Sequence, residues 1–119
     1  MAFHHQHCVP CEGGISRLSA VGAEALVPQV PLWRLEGDAS RLTRSFAFPD
    51  YSRALAFVTA ISAIAESEGH HPDVCFGWGY VTVSLHTHAI GGLHGNDFIL
   101  AAKFDRVTAD AATLGEPRP

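Results

Sequence analysis

Charge is sparse in this chain, and no run of one sign dominates it. Of 119 residues, 8 are Lys or Arg and 12 are Asp or Glu, giving a formal charge of −4 at pH 7. A nucleic-acid backbone calls for a basic face, so that class of partner is set aside. Long apolar runs are lacking too. The longest stretch, Ala54 to Ala65, is broken by Thr59 and Ser62 and falls short of the ~20 residues that a membrane-spanning helix needs. The chain does not open on a basic region followed by a continuous apolar segment, so neither a secretory signal nor a membrane partner is expected. Cysteine is scarce and odd in number, at three, which excludes a disulfide framework. These absences point to the cytoplasm.

What remains is an ordinary globule, 47% apolar and 17% charged. A chain this long forms one domain and buries roughly 65% of its unfolded surface. We place that domain at residues 15–110, between a flexible N-terminal tail at 1–14 and a C-terminal tail at 111–119. Pro10 and the Gly13-Gly14 pair oppose regular structure in the first tail. It nevertheless carries Cys8-Val9-Pro10-Cys11 after His4, His5 and His7. Cys and His at such spacing can share a tetrahedral ion, but a single CxxC outside a βαβ unit is a weak signal. No metal site is assigned to it.

Between the tails the pattern alternates between helix and strand. Ile15, Leu18, Val21, Ala25 and Leu26 recur at mostly helical steps over Ile15 to Val27, with Ser16 or Ser19 as a cap and Pro28 and Pro31 as the stop. Leu32 to Leu35 and Leu42 to Phe48 read as strands of a hairpin around Glu36-Gly37-Asp38. Pro49-Asp50 starts the strongest helix, whose Ala54, Phe57, Val58, Ile61, Ile64 and Ala65 share a face and leave Ser52, Thr59 and Glu66 outward. Gly69 is placed to end it in a left-handed conformation. Val74 to Phe76 and Tyr80 to His86 follow as strands around Gly77-Trp78-Gly79. The second alternates cleanly, with Val81, Val83 and Leu85 on one face and Tyr80, Thr82, Ser84 and His86 on the other. A last helix is expected from about Asp97 to Val107. The order αββαββα implies an α+β fold: a four-stranded antiparallel sheet with three helices on one face.

Four of the eight histidines fall at positions 70, 71, 86 and 88, on both sides of that alternating strand. Imidazole gives or takes a proton near neutral pH, and it also binds metals. His71 is held extended by Pro72, so His70 and His71 point to opposite sides and do not easily face one ion together with His88 and Cys75. That favours proton transfer over a metal. The glycine-rich loop from Ala89 to Asn96 has neither a Walker lysine nor GxGxxG order, so it reads as a tight turn rather than a phosphate cradle.

These residues resemble the pterin-4a-carbinolamine dehydratases. The family's glutamate, three residues, then His-His-Pro is matched by Glu66, His70, His71 and Pro72. The aromatic after it is matched by Trp78, the Thr-His pair by Thr87 and His88, and the Gly-Leu and aspartate by Gly92, Leu93 and Asp97. Upstream, Trp33 with Leu35, Phe46-Ala47-Phe48 and Asp50 also fit, and the Cys8 to Gly14 head is similar to bacterial members. Two positions depart. His94 stands where the family uses Ser or Thr to cap the last helix, and Asn96 where some members have Arg. From these we expect a looser loop or a later helix start, with Asn96 as cap.

The resemblance implies dehydration of 4a-hydroxytetrahydrobiopterin to the quinonoid dihydropterin, recycling the cofactor of aromatic amino acid hydroxylases. It implies no cofactor and a homodimer or homotetramer. Carried onto this chain, His70, His71 and His88 are the expected catalytic residues. Glu66, Gly69, Thr87, Ala89 and Asp97 are expected around the pterin, with Trp33 stacking on it and His86 at the pocket edge. The alternatives are a relative serving another pterin, such as one on the molybdenum-cofactor route, and a dimerisation or regulatory module without activity.

Overall fold

The computed structural model describes residues 2–9 and 17–109, with side chains through residue 108. Cys11, Ile15, Ser16 and the expected C-terminal tail lie outside the described residues. Three α-helices, α1 (Ala20–Leu26), α2 (Tyr51–Glu68) and α3 (Gly95–Ala109), accompany four strands: β1 (Arg34–Glu36), β2 (Arg41–Ala47), β3 (Asp73–Gly77) and β4 (Tyr80–Leu85). Short 3-10 turns fall at Phe3–His5, Val27–Gln29 and His88–Ile90. The expected α+β order is therefore present.

The strands form one antiparallel sheet in the order β1-β2-β4-β3. Each hairpin is local, and the two join through β2 and β4, with Phe46 opposite Val81 and Leu42 opposite Leu85. That register sets the apolar side chains of both central strands on the same face. Val81, Val83 and Leu85 are fully buried there, while Tyr80, Thr82 and Ser84 lie on the other, more open face. Ala54, Phe57 and Ile61 of α2, with Leu100 and Phe104 of α3, close over the apolar face at essentially zero exposure. Phe57 touches Phe46 and Phe48, with ring centroids 4.5 and 5.1 Å away. Removing such a ring costs about 3–5 kcal/mol in lost contacts and a residual cavity.

Local signals set the helix ends. Asp50 accepts the Arg53 N–H at 2.9 Å, satisfying a first-turn donor of α2. Gly69 closes the helix at φ 67°, and the N–H of His70 reaches back to the Ala65 carbonyl. This turn is what throws His70 and His71 off the helix. In α1, Ser19 accepts from Gly22 N–H as expected, but the inward face differs from the periodicity. Ala23 is buried, whereas Val21 is 77% exposed. A helix this short is oriented by its neighbours more than by its own apolar spacing.

Residues 2–8, within the tail expected at 1–14, lie on α2 and α3. Phe3 packs against Phe98, the Cys8 N–H donates to Glu68 at 2.7 Å, and the Asn96 amide exchanges two hydrogen bonds with the backbone of Val9. The last helix begins at Gly95, earlier than expected. His94 caps it instead of Asn96, its Nδ1 accepting the Asn96 N–H at 3.2 Å. The Asp97 carboxylate accepts the His94 N–H in return. This is the reciprocal arrangement of a capping box with imidazole in place of hydroxyl.

Candidate active site

Strand alternation divides the His86-Thr87-His88 segment. Thr87 remains extended at φ −100° and ψ 105°, so its side chain points opposite to its neighbours. Thr87 is 2% exposed and turns toward the helices; His88 is exposed and His86 partly so. The Thr87 backbone N–H donates to the Gly92 carbonyl at 2.8 Å, and Gly91 takes the left-handed turn at φ 62° that folds the loop back. That return delivers α3, whose first turn carries Asp97 beneath Thr87.

Asp97 is fully buried and shared. Its Oδ2 accepts the Thr87 hydroxyl at 2.8 Å and the His94 N–H at 3.0 Å. Its Oδ1 lies 2.6 Å from Nε2 of His70, whose side chain is 10% exposed. Three separate elements thus meet on one carboxylate, and among the described residues each buried side-chain polar atom has a partner. His71 points elsewhere. Its Nε2 is 2.5 Å from Glu66 Oε1, with both side chains more than half exposed. Glu66 therefore addresses His71 and not His70. The opposite directions expected for adjacent His70 and His71 hold.

A cavity of about 190 Å³ opens among Gly69, His70, His71, Thr87, His88 and Ala89. It brings together the three histidines singled out in the sequence, with Thr87, Gly69 and Ala89; Glu66 and Asp97 stand behind two of its rings. His86 borders it through His88, with Nε2 3.1 Å from His88 Nδ1. Trp33 is not part of this group. It is 2% exposed, meets Phe46 edge-on at 6.0 Å, and donates its indole N–H to Asp105 at 2.8 Å. Asp105 lies eight residues beyond Asp97 along α3, about 12 Å at 1.5 Å per residue. Burial pushes the Asp105 carboxyl up, against the opposing pull of Trp33 and Arg44.

A larger hollow of about 420 Å³ lies beside the N-terminal segment, along Glu68, Lys103 and Arg106. It contains none of the histidines 70, 71, 86 or 88. Nearby, burial, reinforced by Glu68 and Asp97, pushes the Cys8 thiol up to about 12. A thiol held neutral is a poor nucleophile and metal ligand, which opposes a redox or zinc role for this cysteine. Sequence reasoning missed Asp73, whose Oδ2 lies 3.7 Å from His86 Nδ1. Its signal was position, directly after His70-His71-Pro72.

Known proteins match this chain over most of its length. The family model described as pterin 4 alpha carbinolamine dehydratase matches residues 16–107. A Cupriavidus pinatubonensis protein, provisionally named pterin-4-alpha-carbinolamine dehydratase 1, is 50% identical over 104 residues, covering 87% of this chain and 90% of its own. The crystal structure of a transcriptional coactivator/pterin dehydratase from Brucella melitensis superposes with a TM-score of 0.72 at 28% identity, covering 84% of this chain and all of that one. A pterin dehydratase-like protein, described as a RuBisCO assembly factor of the alpha-carboxysome, is 32% identical. It gives a TM-score of 0.55 and covers 71% of this chain and 90% of its own.

Proposed function

The chain belongs to the pterin 4 alpha carbinolamine dehydratase family, and from that premise we propose that it dehydrates a 4a-hydroxytetrahydropterin, with 4a-hydroxytetrahydrobiopterin as substrate and histidines as acid and base. The observation that carries this reading is the convergence of His70, His71 and His88 on one cavity floored by Thr87. The C4a–O bond breaks, the departing oxygen takes a proton and leaves as water, and N5 gives up its proton as the quinonoid dihydropterin forms. Both transfers are served best by groups that titrate near neutrality. His70 and His88 supply them from different elements, one after the α2 terminus and one after β4. Asp97 accepts from His70 Nε2–H, as it does from Thr87 and His94. That hydrogen bond fixes the His70 tautomer and leaves Nδ1 for exchange. His71, leaning on Glu66, orients the substrate, and the backbone around Gly69 and Ala89 meets the edge of the ring.

The protein acts in the cytoplasm as a homo-oligomer in this reading. The 72% exposed Trp78 offers a surface for self-association. The test is the rate of quinonoid dihydropterin formation from enzymatically generated 4a-hydroxytetrahydrobiopterin, with and without the purified chain. Acceleration supports the dehydratase. A binding module such as an assembly factor, the role named for one structural relative, predicts no acceleration.

A further inference from the structure

His86 has no part in the proton transfers above, yet it is the middle member of a second cluster. Asp73 opens β3 opposite Ser84 of β4, and His86 lies two residues beyond Ser84. Asp73 and His86 are therefore diagonal neighbours on the open face of the sheet. His88 follows at the next alternate position. One donor atom from each of Asp73, His86 and His88 lies within 4.8 Å of the others. The two imidazoles are closest, with ring centroids 4.0 Å apart, planes inclined by 56°, and Nε2 of His86 3.1 Å from Nδ1 of His88. Two nitrogens bound to one tetrahedral Zn²⁺ at 2.0–2.1 Å stand about 3.3 Å apart, close to this spacing.

We propose that Asp73, His86 and His88 form a site for a first-row divalent cation of the zinc class. The donor set fits that chemistry. Imidazole suits zinc, copper, iron and nickel, and two histidines with one carboxylate leave positions open for water or another ligand. Access is direct, because the Asp73 side chain is 65% exposed and can swing toward the imidazole pair. The site differs from the one weighed on sequence: it excludes His70, His71 and Cys75 and recruits Asp73 across the β3–β4 ladder. Resting on the dehydratase reading, its consequence is inhibitory. A cation on His88 occupies the lone pair that would otherwise take a proton, so occupation switches the cavity off.

Cobalt is the probe, since Co²⁺ takes zinc's ligands and absorbs visible light when four- or five-coordinate. Full-length protein stripped with chelator should bind one Co²⁺ at this site with visible bands that Zn²⁺ abolishes. Asp73→Asn and His86→Gln should each weaken that binding at least about tenfold, since even loss of an outer-shell partner costs 10–100-fold. Replacing His4, His5 and His7 together by Gln should leave it intact. Unchanged Co²⁺ spectra in both Asp73→Asn and His86→Gln, or their loss in the His4/His5/His7 variant, would overturn the site. Far-UV circular dichroism checks that each variant is folded. The spectrum does not depend on turnover, so it stands even if the chain proves inactive on pterins. With activity in hand, Zn²⁺ should inhibit the native protein and inhibit Asp73→Asn far less; equal inhibition contradicts the switch.

Discussion

Oδ1 of Asp97 lies 2.6 Å from Nε2 of His70, and the carboxylate that makes this contact is wholly buried. One side chain thereby ties the start of α3 to the segment leaving α2 and, through Thr87, to the end of β4. Asp97→Asn keeps the shape but presents an amide that cannot accept on both sides. We predict at least about a tenfold fall in kcat, the low end of what a positioned acid or base contributes, with a smaller change in KM. Nitrogen NMR of the His70 ring should show a changed tautomer population. An unaltered tautomer with unaltered kcat would remove Asp97 from the account.

Trp33 separates packing from substrate contact. Trp33→Phe keeps most of the apolar ring and deletes the N–H that Asp105 accepts. Loss of that hydrogen bond should lower stability by about 1–2 kcal/mol in urea unfolding, while KM for the pterin stays within about twofold of native, because no positioned polar group of the cavity is lost. A large rise in KM with no loss of stability would return Trp33 to the pocket.

The N-terminal segment should come loose in acid. Glu68 is half-buried, and its desolvation by itself raises its pKa, but the Cys8 N–H, the His7 ring and Lys103 outweigh that and hold it below its ordinary 4.5. A depressed carboxylate contributes stability above its unfolded value and loses it as pH falls through the folded one. Contacts of residues 3–8 should therefore persist above pH 4.5 and weaken below it, as read by hydrogen exchange of the Cys8 amide. Glu68→Gln should cost about 1–2 kcal/mol and flatten that acid limb. An acid limb as steep as that of the native chain would detach the effect from Glu68.

Thiol labelling offers a second check on the same segment. Cys75 is exposed, whereas Cys8 is held neutral with its pKa at about 12. Iodoacetamide at pH 8 should modify Cys75 well before Cys8, as mapped by peptide mass spectrometry, and Glu68→Gln should narrow the difference. Faster reaction at Cys8 would contradict the raised value.

Much of this architecture was legible in the residues. Alternation over Tyr80 to Leu85 assigned the buried face of β4, and Asp50 and Gly69 marked both ends of α2, because each signal acts within a turn of its own residue. Pairings between distant segments were not legible. Nothing local in Phe3, Cys8 or Asn96 announces that the first residues lie along α3, and Val21 looked inward only because seven residues carry too little periodicity. The cap at His94 was not legible either, since the residues preferred at that position are Ser, Thr, Asp and Asn. The histidine cluster was visible as spacing, but its division between Asp97, Glu66 and His86 depends on strand alternation and on where α3 returns.

The most direct test of the dehydratase reading is the rate of quinonoid dihydropterin formation by the native chain beside His70→Ala and His88→Ala, each verified as folded. The native protein should give clear acceleration and each variant at least about a tenfold loss. Native acceleration that survives both substitutions unchanged would contradict that expectation.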